Sequence, residues 1–204
     1  MSITIFDYNA FMKFKYRNIA ISGRPGVGRS TLFNNLKTVL KPLGWKFFSG
    51  GEFSRQYAID HGLFDKKNSY HHSASLYSDK IDLKIDVEMR KKLEKEDNYV
   101  VESWLAGYNM RNVPGVLRVL LVCDDALRID RIVNRDNLSV EEVKRHIKER
   151  EETNFKKWKC MYGTTDFWNP KYYDLIIDTY SSGRTETLEK VLDKLGYNRK
   201  NKTT

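Results

Sequence analysis

The sequence predicts an α/β protein of three layers, a five-stranded, mostly parallel sheet with helices on both faces. Three observations predict it. Five short apolar runs, at residues 17–22, 45–48, 99–102, 116–123 and 173–178, each lead into a polar or glycine-bearing turn. Stretches with helical periodicity fall between them. The chain has 204 residues, 40% of them hydrophobic, enough to bury one core without disulfides or metal clips.

The first run, Ile19, Ala20 and Ile21 with Ser22 at its end, reads as a buried strand feeding a glycine-rich turn. After the turn, Leu32, Phe33, Leu36, Val39, Leu40 and Leu43 recur at helical spacing, and Gly44 marks the stop. The second strand follows at once. Ile81, Ile85, Met89 and Leu93 then form an i, i+4 stripe, and Asp79, Asp82 and Asp86 share another face of the same helix. After the fourth strand, Ser139 and Glu142 form a capping box. The helix they open carries Arg145, Lys148, Arg150, Lys156 and Lys157, and Gly163 ends it. The fifth strand closes the domain.

Composition excludes several classes. Charged residues make up 31%, which fits a globular protein and not a disordered one. The longest apolar runs are short, as at residues 119–123, so no membrane-spanning helix is expected. Cys123 and Cys160 form no CxxC pair, and the four histidines lack metal-ligand spacing, so both thiols are expected to be free. The first 18 residues intersperse Asp7, Lys13, Lys15 and Arg17 among apolar ones, unlike a signal peptide, and the expected location is cytoplasmic. The formal charge is +9, but the basic residues are interleaved with acids, a pattern of solvated helix faces. Small phosphorylated ligands account for the excess equally well, and a nucleic-acid partner is not expected. Only residues 13–17 and the tail, 198–204, are basic runs.

The turn itself, Gly23-Arg24-Pro25-Gly26-Val27-Gly28-Arg29-Ser30-Thr31, fits the phosphate-binding pattern G-x-x-x-x-G-K-[ST] at every fixed position except the lysine. Backbone N–H groups must turn inward around a phosphate, and Cβ atoms would obstruct them. The following helix adds its positive end. Ser30 would offer a hydroxyl to Mg²⁺. Arg29 keeps the positive charge but replaces a compact ammonium by a planar fork, so turnover should suffer more than binding.

Further motifs follow in order: Ser49-Gly50-Gly51-Glu52-Phe53-Ser54-Arg55 after the second strand; Glu102-Ser103-Trp104-Leu105-Ala106-Gly107 after the third; Arg131 and Arg135 on one helix; Arg150 leading to Tyr162-Gly163. In this order and spacing, over roughly residues 19–195, the chain resembles the archaeal-type cytidylate kinases of the nucleoside monophosphate kinase group. The resemblance implies the P-loop kinase fold within residues 19–197, a monophosphate-binding insert at about 55–95 and a lid at about 135–163. It also implies phosphoryl transfer from ATP, with Mg²⁺, to CMP or dCMP.

Residue by residue, the resemblance implies an ATP site of Gly23, Gly26, Val27, Gly28, Arg29, Ser30, Thr31 and Arg131. The monophosphate site would comprise Ser49, Gly50, Arg55, Asp79, Asp82 and Trp104, with Arg55 on the acceptor phosphate. Asp79 and Asp82 match an acidic pair that either accepts from the cytosine amino group or forms a solvated helix face. Glu102, with Ser30, would serve the metal by ordering its water. Arg29, Arg135, Arg150 and Lys157 would surround the transferring phosphoryl group.

Three positions depart from the family. The P-loop lysine is Arg29, the E-G-R motif reads Glu102-Ser103-Trp104, and a lid arginine is Lys157. Trp104 either stacks on a base or packs in the core. A nucleotide-binding protein that has lost transfer, and a kinase with another acceptor, are the alternatives. Residues 1–18 are an extension in which Ile3, Ile5, Tyr8, Phe11, Met12 and Phe14 cover a sheet edge or form a dimer contact. Monomer and homodimer remain open.

Overall fold

The computed structural model describes residues 14–62 and 79–197. Five strands, β1 (Asn18–Ser22), β2 (Lys46–Ser49), β3 (Tyr99–Glu102), β4 (Val116–Val122) and β5 (Leu175–Asp178), form one sheet in the order β2-β3-β1-β4-β5. Every pairing is parallel. The helices are α1 (Arg29–Leu40), α2 (Gly50–Asp60), α3 (Asp79–Lys95), the short α4 (Ala106–Asn109), α5 (Asp125–Asp136), α6 (Val140–Tyr162) and α7 (Arg184–Leu195).

The central strands are buried along their whole length, as parallel strands covered on both faces must be. Side chains alternate between faces: Ile19 and Ile21 join the core formed with α1 and α7, whereas Ala20 joins the core under α3 and α4. Met89 and Leu93 of the predicted stripe are buried in that second core, and Ile85 packs at its margin. A third cluster is aromatic. It gathers Leu105, Tyr108, Trp158 and Phe167, with Trp104, Phe155 and Trp168 packed around them.

Strand ends differ from expectation by one or two residues. The second strand runs to Ser49 because that residue pairs with Glu102 of β3. The fifth begins at Leu175, since the Asp174 carboxylate is taken by Arg118 through both oxygens. Helix α1 ends at Leu40, and a 3₁₀ turn over Lys41–Leu43 leads to Gly44 in the left-handed region. The capping box of Ser139 and Glu142 and the stop at Gly163 are both present.

Phe14, from the end of the expected extension, packs edge-on against Trp45. Ile3, Ile5, Tyr8, Phe11, Met12 and the tail lie outside the described residues. Both cysteines are free. Among the described residues no helix is long and apolar enough to cross a membrane.

Candidate active site

The strand order reverses direction at β1, which opens a crevice at the carboxyl ends of the strands. The turn after β1 fills that crevice. Gly23, Gly26 and Gly28 all have positive φ, at 149°, 83° and 95°. At Gly26 a Cβ would meet the Arg128 carbonyl oxygen at 2.7 Å, so the backbone packs where no side chain fits. Gly28 is the N-cap of α1, with no side-chain cap and no acidic residue in the first turn. The first-turn amides of α1 are therefore left to a ligand, unlike those of α6, which Ser139 and Glu142 cap. Ser30 and Thr31 stand in this first turn with exposed side chains.

The turn is braced from behind. Val27 is buried in the core. Thr179, just after β5, donates to the Val27 carbonyl at 3.0 Å. Arg131 donates to the Thr179 hydroxyl at 2.9 Å and the Thr179 carbonyl at 2.8 Å, and reaches the Gly26 carbonyl at 3.3 Å. Arg128, 3% exposed, binds Pro25 O at 2.9 Å and the carboxylates of Asp125 and Glu151 at 2.6 Å each. It thus ties the turn to α5 and α6. Sequence reasoning passed over Arg128 and Thr179; their spacing of 103 and 152 residues from the turn gave no local signal.

Arg29 lies between the turn and β3. Its Nη1 meets Glu102 Oε2 at 2.9 Å, and the two side chains are 14% and 5% exposed. The other Glu102 oxygen accepts from Ser49 Oγ at 2.5 Å. This follows from register, since Ser49 and Glu102 are partners on adjacent strands. Ser49 also caps α2 by accepting from Glu52 N. Burial weakens the hold of the Arg29 guanidinium on its proton; Glu102 opposes that, and Arg55 and Arg135 add like-charge repulsion. Arg29 Nε is buried without a hydrogen-bond partner. Arg55, one turn along α2, makes no hydrogen bond or ion pair among the described residues, and its Nη1 comes within 3.4 Å of where a Gly51 Cβ would stand. Arg29, Glu102, Ser49, Gly50 and Arg55 thus come together beside the glycine turn.

A cavity of about 120 Å³ opens next to this group. Gly50 and Gly51 line one end, Ser103 and Trp104 the floor, Asp82 and Asp86 the α3 wall, and Arg150 and Trp158 the α6 wall. Lys157 reaches across from α6 to Asp82 at 2.6 Å. Trp104 belongs to the aromatic cluster and also borders the cavity. Its ring packs edge-on against Trp158 at 5.4 Å, and it also lines the cavity under the Arg150 guanidinium. Arg135 pairs with Asp136 at 2.6 Å at the end of α5, and its charge acts on Arg29. The side chain of Asp79 lies outside the described residues. Asp86 carries the acidic wall with Asp82; its position four residues on, along the same helix, was the signal for it.

The sites can be tested against Mg²⁺. Ser30 offers an exposed hydroxyl where a P-loop cation would sit. Glu102 has both oxygens engaged, so it fits a carboxylate that holds the cation's water better than one that binds it directly.

Residues 18–181 match the model of the cytidylate kinase-like family. The cytidylate kinase of Pyrococcus abyssi is 36% identical over 163 residues, 79% of this chain and 83% of the relative. The cytidylate kinase of Archaeoglobus fulgidus is 33% identical over 175 residues, 85% and 92% of the two chains. A gluconokinase from Sinorhizobium meliloti shares the fold, with a TM-score of 0.57 at 13% identity over 90% of this chain and 94% of that one. The glycine turn, the Ser49–Glu102–Arg29 group and the cavity beyond them all fall within the matched residues, and the chain belongs to the cytidylate kinase-like family.

Proposed function

We propose that the protein transfers the γ-phosphoryl group of ATP to cytidine monophosphate or its deoxy form. The broader part of that statement, a nucleoside monophosphate kinase, follows from the family and the fold. The observation that carries the rest is the adjacency of an uncapped glycine cradle to a separate cavity with an acidic wall, joined through Arg29, Glu102 and Ser49.

In this reading the amides of residues 23–31 hold the donor polyphosphate. Arg29 supplies positive charge beside it and is kept in place by Glu102. Mg²⁺, when bound, would neutralise developing phosphate charge; Ser30 and a water held by Glu102 would hold it. Arg55 takes the acceptor phosphate from α2. Asp82, its charge balanced by Lys157, faces the acceptor base, with Trp104 below. Arg150 closes over the cavity from α6. Phosphoryl transfer needs little covalent help, so positioning and charge neutralisation carry the rate. The insert at about 55–95 and the lid at about 135–163 are the segments that would close and exclude water.

The test is ADP release by the full chain, with ATP and Mg²⁺, across CMP, dCMP, UMP, AMP and GMP. Release that depends on CMP or dCMP supports the reading, and release with AMP or GMP alone contradicts it. A second reading is favoured by one feature: Arg29 points back to Glu102 with its Nε buried and unpaired. It holds that ATP binds without being turned over. Tight ATP binding without turnover, unrescued by Arg29→Lys combined with Trp104→Arg, would select it.

A further inference from the structure

Glu151 stands near the middle of α6 and answers two arginines of the donor side. Its Oε1 accepts from Arg128 Nη2 at 2.6 Å, and its Oε2 lies 3.8 Å from Arg24 Nη1. Arg128 in turn holds the Pro25 carbonyl, and its backbone packs against Gly26. Arg24 is itself a residue of the glycine turn, and its guanidinium also lies over the Trp168 and Phe155 rings, at 5.0 and 5.8 Å. The second carboxylate on Arg128, that of Asp125, is 75% exposed, whereas Glu151 is 16% exposed, so Glu151 is the shielded partner and the less screened one. Arg150, the residue before it, lines the acceptor cavity with its guanidinium 5.4 Å from the Trp104 ring. Adjacent helix positions point about 100° apart, so one turn of α6 presents Glu151 to the donor turn and Arg150 to the cavity. The cavity floor is tied to the same place: the Trp104 carbonyl accepts from Gly23 N at 3.4 Å and from Trp168 Nε1 at 3.2 Å.

We infer that Glu151 is a positioning residue that couples the two nucleotide sites: by pinning α6 to the glycine turn, it sets where Arg150 stands over the acceptor cavity. This assignment rests on the donor and acceptor sites proposed above and names what joins them. A polyphosphate in the turn fixes the backbone at Arg24 and Pro25, the two attachments through which Glu151 holds α6. The acceptor then meets an Arg150 that is already in place, and a site whose competent form is more populated binds more tightly. Such coupling is reciprocal, so the acceptor tightens the donor by the same factor. Without Glu151, Arg24 loses its carboxylate and Arg128 keeps only the exposed Asp125. A carboxylate that served the fold alone would weaken each site separately and leave the coupling factor unchanged.

The test measures that factor in the full chain. Calorimetry gives the CMP dissociation constant with and without a saturating, non-hydrolysable ATP analogue and Mg²⁺. In the wild type the analogue should tighten CMP about fivefold or more. Glu151→Gln keeps an oxygen for Arg128 without the charge, and Glu151→Ala removes both; the factor should fall to about two and about one. Glu152→Gln, the neighbouring residue at 67% exposure, should keep the wild-type factor. Arg24→Gln cuts one of the two links and should about halve the factor, which keeps the test alive if the Glu151 variants fail to fold. The analogue alone should also change the tryptophan fluorescence, because Trp104, Trp158 and Trp168 pack together between the turn and α6, and Glu151→Ala should lose that change. A wild-type factor within about twofold of one, or a factor that survives in every folded variant of Glu151 and Arg24, overturns the inference, while ADP release leaves phosphoryl transfer standing. If no monophosphate binds, the proposed reaction fails and the fluorescence decides alone: a change lost with Glu151 carries the link from turn to α6, and no change in the wild type overturns it.

Discussion

On the donor side of the cleft, residues 23–31 leave β1 and enter α1 as one unbroken run, and their shape is set by three glycines with positive φ. On the acceptor side, the cavity draws its walls from α2, α3, the turn after β3, and α6. The first is a local backbone structure laid on the rigid centre of the sheet. The second is a meeting of side chains from distant stretches of chain, held by contacts such as that of Tyr162 with Asp86, 76 residues apart. The departures from the family also divide unevenly. Arg29 changes the donor side while keeping its charge, whereas Trp104 and Lys157 both alter groups at the acceptor cavity. The backbone that binds a polyphosphate tolerates little change, while walls made of side chains can be refitted around another ligand.

Glu102 is where the two sides meet, so its loss should have the largest effect. Glu102→Ala leaves Arg29 buried without its carboxylate and frees Ser49. Stability should drop by about 3 kcal/mol in chemical denaturation, the low end for breaking a buried ion pair. Turnover should fall about a hundredfold, since misplacing a charge by ~1 Å costs that much. Equal losses in ATP and CMP affinity would support Glu102 as the joint; loss of one alone would assign it to that side.

Gly26→Ala tests the donor side by itself. The new Cβ would press on the Arg128 backbone from a φ of 83°. Strain of about 1–3 kcal/mol should appear as weaker ATP binding by calorimetry, with CMP binding unchanged.

The acceptor side should respond to pH. Asp86 releases its proton near its ordinary value in the unfolded chain but at about 6 in the folded one. Between about pH 4 and 6 the folded protein therefore holds a proton that the unfolded chain has lost. Stability from this group falls as pH rises through that window. Asp82, Lys157, Tyr162 and Arg150 are the other charged or titratable groups lining this cavity or pairing across it. The melting temperature of Asp86→Asn, relative to the wild type, should rise from pH 4 to pH 7; a flat difference would place the carboxylate outside the buried wall.

The smallest effect is expected at Arg24, which links the two sides. Its guanidinium lies 5.0 Å from the Trp168 ring centroid and 3.8 Å from Glu151. Arg24→Ala should cost about 1 kcal/mol of stability. A larger loss would show that the turn depends on α6 for its conformation.

The same division explains what could be read from the sequence. Five strands, the glycine turn, and the start and stop of α6 depend on near neighbours and on periodicity, and all were legible. The Ser49-to-Arg55 stretch was legible as a motif, whereas the cap that Ser49 gives α2 was not named from the sequence. Arg128, Thr179 and the pairing of Asp86 with Tyr162 were not, because each requires knowing which distant strands and helices meet. Arg131 was legible as a candidate but not in its setting: it braces the turn through Thr179 and the Gly26 carbonyl. Trp104 illustrates the limit from the other direction, since one ring serves the aromatic cluster and the cavity together.

The most direct test of the account follows the phosphoryl group itself. ATP labelled at its γ-phosphate is incubated with the full chain, Mg²⁺ and CMP, and the products are separated. Label recovered in CDP, in step with ADP formed, is the expected result. Label found only as inorganic phosphate, or retained on ATP whatever monophosphate is offered, would contradict a cleft that joins a donor cradle to an acceptor cavity.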